Sequence, residues 1–289
     1  MLLSECILPA ALGDLHALRG GDPEGPKVIA LHGWLDNAAS WVPLLGLLPQ
    51  PLDIVALDLP GHGRSTHLGA GAEYSPYVAI NAVLDAADAL GWERFALLGH
   101  SMGGAISSLT AAACPQRVRR LVCIEALGGL GEDPAQAPER MRDAMRAART
   151  RSRRGLRVFP SLAAPIRARM QVNGLSQSSA RLLVERGVRA LDDGWVWSTD
   201  QRLTLPSLYR ATHAQVDAIV ASIDCPTQVI LAEQAQPYFP EPLRSQRAAR
   251  LRKGRTFILP GSHHLHMDNA QAVAEVIGDF LGQGHDPAL

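Results

Sequence analysis

Short apolar runs bounded by Gly, Pro or charge recur along the first part of the chain: KVIAL at Lys27–Leu31, DIVAL at Asp53–Leu57, RFALL at 94–98 and VRRLVCI at Val118–Ile124. Runs of this length with little polar alternation suit strands covered on both faces of a parallel sheet. The pattern returns late in the chain at 227–231 and 255–259. Segments with helical spacing fall at 41–48, 75–90, 101–113 and 269–281. In the third, Met102, Ile106, Leu109 and Ala113 share one face at i, i+4, i+7 and i+11. Strand–helix alternation at this pace predicts a doubly wound α/β sheet.

The alternation breaks after Ile124. From 128 to 222 the chain is rich in Arg, Ala and Leu and mainly helical in pattern, with turn-like APER, NGLS and LDDGW segments. This stretch reads as a helical lid (128–222) inserted into an α/β core built from 1–127 and 223–289. No internal repeat or low-complexity linker separates the two, so the insertion is expected to dock on the core.

Composition narrows the partners. The 28 basic residues balance 28 acidic ones, which removes any global electrostatic case for nucleic acid or a charged membrane surface. Locally the balance fails: ten arginines fall between 140 and 169 against a single acid, Asp143. A solvated helical face is the plain reading, and an anion-attracting rim above a site is its rival. Cys6, Cys114, Cys123 and Cys225 lack metal-ligand spacing and sit in apolar surroundings, which suits free thiols in a reducing compartment. The N-terminus carries no basic segment followed by a long apolar one, and no run approaches the roughly 18 apolar residues of a membrane span. A soluble, cytoplasmic protein is expected.

The chemistry concentrates where apolar runs end. LLGHSMGG passes from a strand through Gly99-x-Ser101-x-Gly103 into a helix. Glycines two residues either side of the serine allow a sharp turn that exposes Ser101 near the partly positive helix N-terminus. LHGW follows the KVIAL run, and its turn can aim the Trp34 N–H at the serine. Together with the Met102 N–H it would make a two-donor pocket for an oxyanion. DLPGHGRS specifies a tight loop, in which Asp58 and His62 read as structural.

In this order HGWLDNAASW, ALDLPGHGRS and GHSMGG resemble the α/β-hydrolase superfamily, and within it the serine hydrolase-like group of bacterial and animal proteins. The resemblance covers almost the whole chain, closely in the core and weakly in the lid. It implies an eight-stranded, mostly parallel sheet flanked by helices, a helical lid, and a triad in the order Ser, acid, His. PGSHHLHMDN offers His263, His264 and His266. Members of the family place the base immediately after a small-residue turn, which selects His263; His264 would point the other way. Many members carry the acid as the Asp of a Gly-x-x-Asp pattern after the seventh strand. The matching tetrapeptide here ends in Ala235, whose methyl group accepts no hydrogen bond. Some relatives, including one branch of the haloalkane dehalogenases, carry a glutamate after the sixth strand instead. Glu125, in VCIEAL, is the acid on this reading, and Glu233 is its rival.

A serine nucleophile argues against the dehalogenase and epoxide-hydrolase branches, which use aspartate. The resemblance then implies acyl transfer to water on a small-molecule substrate, an apolar ester first. An amidase, a carbon–carbon bond hydrolase with the same triad, and a non-catalytic ligand-binding homologue stay open. Trp34, Trp41, Trp195 and Trp197 are candidates to line the pocket, with core packing the plainer role for each. No metal, nucleotide or flavin motif is present, so no cofactor is expected.

Overall fold

The computed structural model describes residues 2–49, 51–150 and 156–283. Eight strands form one sheet: β1 (Leu3–Leu8), β2 (Leu15–Gly21), β3 (Lys27–Leu31), β4 (Asp53–Leu57), β5 (Phe95–His100), β6 (Val118–Ile124), β7 (Thr227–Ala232) and β8 (Gly254–Leu259). Their order across the sheet is 1-2-4-3-5-6-7-8, with β3 to β8 parallel and the β1–β2 hairpin antiparallel on one edge. The α/β fold expected from the apolar runs is the fold observed.

The central strands β4, β5 and β7 are buried at every position, as continuous apolar runs require. Helices α1 (Val42–Leu45), α2 (Pro76–Ala89) and α3 (Met102–Ala113) cover the sheet. One face packs Val83, Ala86, Leu97 and Ile106 together, and the other packs Trp41, Leu44, Val273 and Ile277. Each of the Val, Leu and Ile side chains among these, taken fully from water, contributes about 1.5–3 kcal/mol, so both faces hold the sheet firmly.

Two expected helices are shorter than their periodicity suggests. The stretch 41–48 starts at the end of a 3₁₀ turn, Ala38–Trp41, and holds only the single turn of α1, which gives way at Gly46. Toward the C-terminus the expected helix stops at Gly278, whose φ of 50° ends it after Ile277. The apolar pattern continues past both breaks because the chain remains on the core.

Between β6 and β7 run α4 (Ala137–Thr150), α5 (Ala163–Asn173), α6 (Gln177–Gly187), a hairpin of Val188–Leu191 with Gly194–Trp197, and α7 (His213–Ala221). LDDGW is the turn of that hairpin. Arg151, Arg153 and Arg154 of the arginine-rich stretch lie outside the described residues. Helices α5 and α6 share a small apolar cluster of Ile166, Leu175, Leu183 and Val184, to which Met267 adds. Helix α7 instead gives Val216 and Val220 to the main core. Polar ties bind the segment to the sheet domain: Arg186 to Asp58, Arg169 to Asp36, Asn37 to the Leu183 carbonyl, and Ser176 and Ser179 to Asp268. Among the described residues no helix is long and apolar enough to cross a membrane. All four cysteines are free.

Candidate active site

Ser101 stands at the turn from β5 into α3 with φ 51° and ψ −116°, a region L-residues avoid and strand-to-helix nucleophile turns adopt. The flanking glycines are steric necessities. A Cβ on Gly99 would overlap the Gly103 backbone, and one on Gly103 would overlap the Leu31 carbonyl. Helix α3 therefore begins directly against the end of β3, where the LHGW turn starts. The Ser101 N–H is anchored on the Ile124 carbonyl at 2.8 Å. Among the described residues, the backbone N–H groups of Trp34 and Met102 have no hydrogen-bond partner.

Glu125 and His263 come together from strands that are not adjacent. Glu125 caps β6 with φ 57°, and its N–H bonds to the Ile230 carbonyl at 2.9 Å. That conformation turns the side chain across the end of β7. Its Oε1 accepts the Ala232 N–H at 2.6 Å, and its Oε2 lies 3.1 Å from His263 Nδ1. The carboxylate is almost fully buried, and the two partners meet the need of a buried acid for hydrogen bonds. Glu233 is exposed, and among the described residues no group bonds its carboxylate. Ala235 lies in the loop beyond β7.

The other histidines are packed. His264 is buried, and its Nε2 sits 3.1 Å from Asp36 Oδ2. Asp36 also pairs with Arg169 of α5. Burial alone would push the Asp36 carboxyl up, but the hydrogen bond and charge of His264, together with Arg169 and His100, hold it well below the usual carboxylate range. His100 Nε2 bonds the His263 carbonyl at 2.8 Å and so braces the loop that carries His263. Burial, then the neighbouring histidines, keep His100 well below the ordinary imidazole value. His266 packs between Trp41 and His100 at ring distances of 5.0 and 4.0 Å.

Asp36, His100 and His264 offer ligand atoms within 4.8 Å of one another. Arg169 already balances the one carboxylate, so a divalent ion there would bring two unmatched charges into a buried site. The cluster reads as a brace between α5 and the histidine loop. Asp58 and His62 are structural in their contacts. Asp58 accepts the N–H groups of Ala38 and Arg64 at 2.7 and 2.9 Å and pairs with Arg186. His62 lies against His32, the rings tilted at 60° with centroids 4.9 Å apart, and bonds the Pro60 carbonyl.

Tyr238 joins the site without a signal in the sequence. Its hydroxyl lies 3.2 Å from His263 Nε2, on the side of the imidazole that faces Ser101. Burial pushes its phenol up from the ordinary value. Tyr238 follows the polar turn beyond β7, and nothing in its local pattern marks a reach of 25 residues to His263.

Residues 26–236 match the family model described as the alpha/beta hydrolase fold, and the chain belongs to that family. Within it the chain falls in the serine hydrolase-like group. It is 32% identical over 288 residues to the serine hydrolase-like protein of Danio rerio, covering 96% of this chain and 88% of that protein. A hypothetical protein from Pseudomonas aeruginosa PAO1 shares 41% identity and a TM-score of 0.90, covering 96% of this chain and 98% of that one. A thioesterase domain from the curacin biosynthetic pathway superposes with a TM-score of 0.81 at 25% identity, covering 96% and 99% of the two chains.

Proposed function

We infer that the protein is a serine hydrolase that cleaves carboxylic esters through an acyl-enzyme on Ser101. The observation that carries this reading is the Glu125–His263 contact at 3.1 Å, made beside a serine held on a strained turn. Glu125 accepts the Nδ1–H and fixes the tautomer that leaves Nε2 bare. Nε2 takes the Ser101 proton as Oγ bonds to the ester carbonyl carbon. The carbonyl electron pair moves to oxygen, where the Trp34 and Met102 N–H groups receive it. Collapse breaks the bond to the leaving oxygen, which takes the proton from Nε2. Water, deprotonated by the same nitrogen, then releases the acid and restores Ser101.

The thioesterase domain among the structural relatives keeps thioesters within the same acyl class. In this reading residues 128–222 form the lid over the site, and the free thiols suit a cytoplasmic setting. An active-site-directed fluorophosphonate tests the assignment. Labelling of the wild type with loss in Ser101→Ala is expected, and a folded wild type that fails to label sinks it. A chain-length series of p-nitrophenyl esters then measures acyl preference.

A further inference from the structure

In a resting triad the serine hydroxyl commonly bonds the imidazole directly. Here, among the described residues, no hydrogen bond joins Ser101 to His263. The Tyr238 hydroxyl bonds His263 Nε2 instead, at 3.2 Å. Donor logic orders the three groups. Glu125 Oε1 is occupied by the Ala232 N–H, so His263 Nδ1 donates to Oε2 and Nε2 is an acceptor. The phenol therefore donates to Nε2, and its oxygen remains free to accept from Ser101.

The place occupied matters more than the contact. During ester hydrolysis the leaving-group oxygen and then the deacylating water must each stand within hydrogen-bond reach of His263 Nε2 and close to Ser101 Oγ. The Tyr238 oxygen fills that place. The ring meets the His263 ring edge-on, with centroids 6.1 Å apart. The side chain is 47% exposed. Its neighbour Phe239 is buried and lies under Arg247, so the loop backbone is anchored while the phenol is not. A rotamer change suffices to swing the hydroxyl out toward solvent.

We propose that Tyr238 is a latch on the candidate active site: its hydroxyl holds the leaving-group position in the resting enzyme, and a substrate must displace it before Ser101 engages His263. The proposal rests on the hydrolase reading for its kinetic consequence, but the contact can be tested without turnover. A net hydrogen bond of ordinary strength corresponds to roughly fivefold in an equilibrium. Tyr238→Phe, which keeps the ring, is thus expected to raise the second-order rate of fluorophosphonate labelling by about fivefold. Equal or slower labelling overturns the latch, and slower labelling would point to the phenol as a proton carrier. The second arm compares Ser101→Ala with Ser101→Ala/Tyr238→Phe by ¹⁵N NMR of selectively labelled histidine. Loss of the phenol donor moves the His263 Nε2 resonance downfield if Tyr238 bonds it, and an unmoved resonance overturns the proposal even if no variant labels. Absence of labelling in both wild type and Tyr238→Phe, with the NMR shift present, would instead retire Ser101 as nucleophile and leave the contact standing.

Discussion

Arg186 on α6 closes on Asp58 just past β4, with 2.9 Å between Nη2 and Oδ2 and almost no solvent at either side chain. Asp58 also accepts backbone N–H groups from Ala38 and Arg64, so it binds two loops of the core while it holds α6. Removal of the arginine would leave a buried carboxylate without its counter-charge. Arg186→Met is expected to cost about 3–5 kcal/mol in urea unfolding. A loss below about 1 kcal/mol would show that water replaces the guanidinium without penalty.

Glu125→Gln removes an acceptor from His263 Nδ1 and puts an amide in its place. If Glu125 orients the base, turnover should fall by roughly 10⁴-fold, with little change in KM. Glu233→Gln should leave kcat within about twofold, because that carboxylate is exposed and, among the described residues, bonds no histidine. Steady-state kinetics on one p-nitrophenyl ester separates the two, and the reverse ranking would transfer the role to Glu233.

Acid sensitivity should follow from the buried imidazoles. Burial brings His32 down to about 4 and His62 to about 3, against 6.5 for an ordinary histidine. The unfolded chain therefore takes up these protons first as pH falls. The stabilisation is whole above about pH 6.5 and is lost on the way down to between 3 and 4. A tenfold difference in proton affinity between the folded and unfolded chain is worth about 1.4 kcal/mol. Asp36, held below its ordinary 3.8, adds a further loss below that pH. Thermal melts are expected to be flat between pH 7 and 8 and to fall steadily from pH 6.5 to 4. A melting temperature unchanged down to pH 5 would contradict the burial of neutral rings.

Gly103→Ala should be far more harmful than a surface Gly→Ala change. The added methyl would overlap the Leu31 and His32 carbonyls, so α3 must move off the end of β3. That shift carries the Met102 N–H away from Trp34. A destabilisation of about 1–3 kcal/mol is expected from overpacking, together with loss of fluorophosphonate labelling. Gly69→Ala, with no atom within 4 Å of the added carbon, is the matched control.

The legible parts of the fold are those whose signal is local. Strands β3 to β7 show as apolar runs because both faces of each are covered, and β8 shows one although it lies largely open at the sheet edge. LSECIL and LHALRGG carry polar residues through β1 and β2, since these form an antiparallel edge with an exposed face, and the apolar pattern does not mark them. The turn at Ser101 is written in the two glycines that flank it. The meeting of Glu125 with His263 depends on strand order, which the residues alone do not state; only the family resemblance made it an expectation. Asp36 lies within the HGWLDN motif, yet its partner Arg169 is 133 residues away, so its place as a node has no local mark. Tyr238 is hidden for the same reason, as a hydroxyl on a polar loop that acquires meaning only beside His263.

The hold of Ala232 N–H on Glu125 has a further result for how a protein of this build could diversify. The negative charge is fastened to strand ends by main-chain hydrogen bonding, independent of which side chains follow β7. Residues 233–237, short of Tyr238 and the buried Phe239, are thereby released from carrying the charge, and their sequence is free to be rewritten. Grafting that loop from a relative should exchange selectivity between enzymes and leave the proton machinery in place.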